Sequence, residues 1–79
     1  MNWHLTLKTV YKKLEDNGYA AMADELHEEQ LKGGTGGEIF GLVLTKLLSF
    51  KETSPEVYSL IEGEVNEFID FAKRIGYLH

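Results

Sequence analysis

Residues 33–50, GGTGGEIFGLVLTKLLSF, hold both the clearest break in the chain and its most apolar run. Thr35 is followed three residues later by Glu38, and the apolar run begins at once. That spacing predicts a capping box. The Thr35 hydroxyl accepts from the Glu38 N–H, and the Glu38 carboxylate reaches back to the Thr35 N–H. Glu38 also stands where the positive end of a helix dipole favours an anion. Gly36 and Gly37 fall in the first turn, where glycine is a poor helix former, so the cap has to offset them. Then come Ile39, Phe40, Leu42, Val43, Leu44, Leu47, Leu48 and Phe50, broken only by Gly41, Thr45, Lys46 and Ser49. A helix apolar nearly all round is buried by neighbours on more than one side. Gly41, lacking a side chain, is the point where another helix is expected to come close.

A glycine-rich helix start can also bind phosphate through its backbone N–H groups. The spacing argues against that here. No Gly-Lys-Ser/Thr follows, and Ile39 stands where the third glycine of a dinucleotide fingerprint belongs. Glu38 puts its own carboxylate where the phosphate would sit. The stretch reads as a hinge and a cap.

Outward from this stretch the pattern is helical throughout. Residues 3–16 form an amphipathic helix, with Trp3, Leu7, Val10, Tyr11 and Leu14 at spacings of three and four. Asn17-Gly18 ends it. A second helix, about 19–31, carries Tyr19, Met22, Ala23, Leu26 and Gln30 along one face. The short link makes the first two helices an antiparallel hairpin. The third helix runs over about 36–50. Ser54 as cap and Pro55 at the first helical position start the fourth, about 55–75. On it, Tyr58, Ile61, Val65, Phe68, Ala72 and Ile75 form a seam that Leu60, Ile69 and Phe71 widen. Lys73 and Arg74 suit the last turn, and Asp70–Arg74 reads as an i,i+4 pair. Residues 77–79 either fold back or fray. No strand pattern and no repeat is present. The expected fold is all-α: one domain over 1–79, an irregular four-helix bundle with the third helix central.

Seventy-nine residues bury only about 60% of their unfolded surface, so stability is marginal. No cysteine is present to add a disulfide or a thiolate metal site. The longest apolar stretch, residues 39–44, falls far short of the ~20 that span a bilayer. Trp3 and His4 stand where a signal peptide has basic residues. The expectation is a cytoplasmic protein without membrane contact. Thirteen acidic against eight basic residues give a net charge of −5. That balance suits a basic protein partner and argues against nucleic acid. A recognition helix is also missing, because the helix after the glycine turn offers only Lys46 as a basic residue.

Catalytic patterns do not emerge. His27 has Asp24 three residues before it and Glu28 after it. A di-iron bundle needs two such motifs and two more carboxylates, and the zinc-protease motif fails at Leu31. No cofactor and no metal is expected, and no enzyme. The strongest site candidate is the acidic side of the second helix: Asp24, Glu25, Glu28 and Glu29. Asp24/Glu28 and Glu25/Glu29 are like-charge pairs at i,i+4, and Glu28 and Glu29 lie toward the helix end that disfavours anions. A local cost without a local gain marks a functional surface. Neutralising Glu25, Glu28 and Glu29 is therefore expected to hold or raise stability. A second candidate surface is Glu62, Asn66 and Asp70 on the fourth helix.

The segment GGTGGEI at 33–39, preceded by a Leu/Ala helix hairpin, resembles small bacterial all-helical proteins of unassigned function. The similarity is strongest over about residues 10–48. Some of these proteins look like neighbours of secreted toxins, where small acidic proteins serve as immunity partners. The resemblance implies a helical fold and a toxin-binding role, and it carries no site residue over. The expected function is thus a small acidic interaction module, immunity-type, docking on a basic partner. The alternative is a self-associating structural or regulatory domain, with a homodimer as the partner and apolar surface on the fourth helix as the contact.

Overall fold

The computed structural model describes residues 2–77. Its four helices are α1 (Trp3–Asp16), α2 (Ala20–Lys32), α3 (Gly36–Thr53) and α4 (Pro55–Arg74). Three of the helices differ from expectation at one end or both. The second helix starts after Tyr19, which fills the N-cap position without a side-chain cap. The third continues three residues past Phe50, because Lys51, Glu52 and Thr53 contain no helix breaker and nothing stops the ladder before Pro55. The fourth stops at Arg74, where Ile75 becomes the C-cap.

The break at 33–35 caps as its spacing predicts, with one shift. The Glu38 N–H donates to Thr35 Oγ1 at 3.2 Å. The Glu38 carboxylate reaches one residue further back, where Gly34 N–H donates to it at 3.2 Å. Thr35→Ala removes the cap acceptor and is expected to cost about 1 kcal/mol in a denaturant melt. A change within the scatter of surface sites would show that Thr35 starts nothing.

Ser54 departs from expectation. It is the N-cap of α4 in position, with Pro55 at the first helical residue, but its side chain makes no cap bond. The single residue between two helices also ends α3, its N–H donating to Phe50 O at 2.8 Å. Its backbone (φ −149°, ψ 71°) serves that double turn, and its hydroxyl points to Met22 Sδ at 4.0 Å.

Each helix packs against its sequence neighbours, and α4 returns to pack on α1. The backbones therefore form a closed ring of antiparallel helices, an all-α four-helix bundle. α3 gives the core more buried residues than any other helix: Phe40, Gly41, Val43, Leu44, Leu47 and Phe50. Its backbone neighbours are α2 and α4, while Phe40 reaches across the bundle to Trp3 of α1, 5.5 Å between ring centroids. The expected stripes are buried: Leu7, Val10 and Leu14; Ala23 and Leu26; Ile61, Val65, Phe68 and Ala72. Trp3, Tyr11, Met22 and Tyr58 pack around the edge of the core. The α4 seam loses one expected residue and gains another. Ile75 is 55% exposed because the helix has already ended there, and at the other end Val57 in the first turn is buried.

Polar ties join α1 to α4. Thr6 donates to Glu67 Oε2 at 3.1 Å, and Lys13 pairs with Glu64, whose side chain is nearly shielded from water. Among the described residues Asp70 and Arg74 do not pair within 4.0 Å, so that expected tie is absent. No described helix is long and apolar enough to cross a membrane. Of the two alternatives left open for residues 77–79, fold-back or fraying, Tyr77 takes the first and lies against Phe40; Leu78 and His79 fall outside the described residues.

Candidate functional site

The outward face of α2 is defined by what its other face buries. Ala23 and Leu26 are in the core, with Met22 and Gln30 half-buried beside them. Asp24, Glu25 and Glu28 are left exposed, and Glu29 is half-buried on the side toward α3. All four candidate acids thus lie on the surface of one helix, but they are not one electrostatic unit. Lys46 of α3 donates to Glu25 Oε1 at 3.3 Å. Lys32, in the last turn of α2, donates to Glu29 Oε1 at 3.0 Å. Asp24 and Glu28 have no ion pair within 4.0 Å among the described residues.

This arrangement corrects one expectation. Neutralising Glu25 and Glu29 does more than relieve like-charge repulsion, because each then leaves a lysine without its partner. Pairs at such exposed positions are worth about 0.2–1 kcal/mol, enough to cancel or reverse the gain from relieved repulsion. The local cost read from α2 alone is partly offset by Lys46, which sequence spacing could not bring to it. The uncompensated charge narrows to Asp24 and Glu28.

Asp24 also borders a groove of about 430 Å³ between α1 and α2, which pack less closely than the other neighbouring helices. Small Ala23 forms part of its wall, and Glu15 enters it from α1. The Tyr11 hydroxyl donates to Gln30 Oε1 at 2.8 Å across the groove. Burial raises the Tyr11 phenol above its ordinary value of 10.0, so it stays a protonated donor at neutral pH. His27 is exposed, with its ring edge-on to Tyr11 at 6.3 Å. No three of His, Asp and Glu stand together to hold a metal among the described residues. Glu15 was not legible as a site residue, since only the packing of α1 on α2 brings it beside Asp24. Chemically, the groove and the face beside it offer carboxylate oxygens to a cation.

The other polar side chains have local roles. Ser49 Oγ donates to Lys46 O at 2.6 Å, and His4 stacks on Trp3 at 3.8 Å. Glu62, Asn66 and Asp70 of α4 are all exposed. No family model, no curated protein and no solved structure matches this chain.

Proposed function

We propose that the chain is a small acidic interaction module that docks on a basic protein through the outward face of α2. Its residence is the cytoplasm, and its partner relationship is that of an immunity protein to a toxin. The observation that carries the reading is Asp24 and Glu28, exposed and without an intramolecular cation among the described residues, on a chain of net charge −5. Unspent carboxylates on a rigid helix steer a positively charged surface and speed its association.

The test takes a basic protein captured from the source cell and compares the wild type with Asp24→Asn/Glu28→Gln. The double variant is expected to bind several-fold more slowly at 0.1 M salt. The gap closes at 1 M, where the Debye length falls from ~10 Å to ~3 Å. Its melting temperature stays near wild type, because neither carboxylate holds a bond among the described residues. Unchanged association at low salt would remove this face as the site.

A second reading, self-association, rests on large apolar side chains left in water. Leu5 is 63% exposed and Leu31 70%. On α4 itself Leu60, Ile69 and Phe71 are half-buried against the core, so that helix offers less apolar surface than its sequence suggested. Sedimentation equilibrium separates the readings: a dimer dissociated by Leu31→Lys favours the second.

A further inference from the structure

The chain just past α4 lays an aromatic ring on α3. Gly76 takes φ 77°, its N–H donates to Lys73 O at 3.2 Å, and Tyr77 N–H donates to Ala72 O at 2.8 Å. This pair of bonds is the Schellman reversal, and it turns the chain back toward α3. The Tyr77 ring meets Phe40 perpendicularly, with centroids 5.8 Å apart. Its hydroxyl stands over Gly41, where a Cβ would collide with it and would lie 2.9 Å from Cζ. The three nearest atoms that a Cβ at Gly41 would meet are all from Tyr77. The close approach anticipated at Gly41 is therefore made by a phenol and not by a neighbouring helix.

Glycine inside a helix weakens folding roughly five-fold in equilibrium constant relative to alanine. At Gly41 that loss opens the floor of a slot whose wall is Phe40. Tyr77 itself is 49% exposed and follows the end of the last helix. Withdrawing it leaves Phe40 still packed on Trp3, Phe68 and Phe71. Of the rings around Phe40, Tyr77 is the most exposed.

We propose that the slot over Gly41 and Phe40 is a binding site for a phenolic ring, filled in the free chain by Tyr77 as an internal ligand. Once Tyr77 is withdrawn, the slot accepts an external phenol. Edge-to-face packing on Phe40 selects a flat aromatic, and the missing Cβ at Gly41 makes room for its hydroxyl. This inference is independent of the acidic face of α2.

The test uses p-cresol as the probe and thermal melts of Tyr77→Ala, Gly41→Ala and the double variant. Tyr77→Ala is expected to show a saturable rise in melting temperature with p-cresol, and the double variant none, because the new methyl fills the slot. Without ligand, Gly41→Ala is expected to help folding about five-fold in the Tyr77→Ala background, where only helix propensity acts. In the wild type the same change expels the ring, and the gain shrinks or reverses. Equal effects of Gly41→Ala in both backgrounds, or no saturable p-cresol effect on Tyr77→Ala, would overturn the proposal. Tyr77→Leu serves the same comparisons if the alanine variant does not fold.

Discussion

Phe40→Ala is expected to destabilise the domain by about 3–5 kcal/mol, the range for deleting a buried phenylalanine. The side chain is 2% exposed. It touches an aromatic from every direction that closes that end of the bundle: Trp3 of α1 at 5.5 Å, Phe68 and Phe71 of α4 at 5.7 and 5.3 Å, and Tyr77 at 5.8 Å. Alanine leaves a void that three elements would have to collapse into together, and ring-on-ring contacts are lost beyond the buried area. A chain of this length sits toward the low end of the 5–15 kcal/mol typical of domains. The melting temperature should therefore fall by at least about 12 °C, at 4–8 °C per kcal/mol for domains of this size. A fall under ~5 °C would mean that Phe40 is not the hub of the core.

Gly33→Ala is expected to have the second largest effect, about 1–3 kcal/mol, the cost of forcing atoms into a packed site. The cause is not the backbone angle. Gly33 has φ −80° and ψ 141°, which any residue adopts. A Cβ there would lie 2.6 Å from Ile39 Cγ1 and 2.8 and 2.9 Å from the Ile39 N and Cα. Two of these three atoms are backbone, so the α2–α3 link itself has to move. Gly34→Ala is the control. Its Cβ would meet only Glu38 Oε2 at 3.7 Å, an ordinary contact, and the change should be near neutral. Chemical denaturation of the two variants side by side decides the matter. Equal stability of both would show that the link is a plain spacer.

The amino-acid sequence by itself determined the helices and their punctuation. Burial periods of three and four marked the inner faces of α1, α2 and α4, and Thr35-x-x-Glu38 marked the start of α3. These signals are local: a cap joins residues three apart, and a stripe depends only on the turn of one helix. Asp24, Glu25, Glu28 and Glu29 were also placed on the surface by the apolar residues opposite them. Only the tertiary structure decided what those charges meet. Lys46, 21 residues from Glu25, takes up one of them, and Glu15 joins Asp24 across a groove. The glycines divide in the same way. Gly18, at φ 83°, follows a helix end that Asn17-Gly18 marks in the sequence. Gly33 and Gly41 are bare because Ile39 and Tyr77 press on them. A steric demand from another part of the fold leaves no periodic trace, since it acts through space on one atom that the residue lacks.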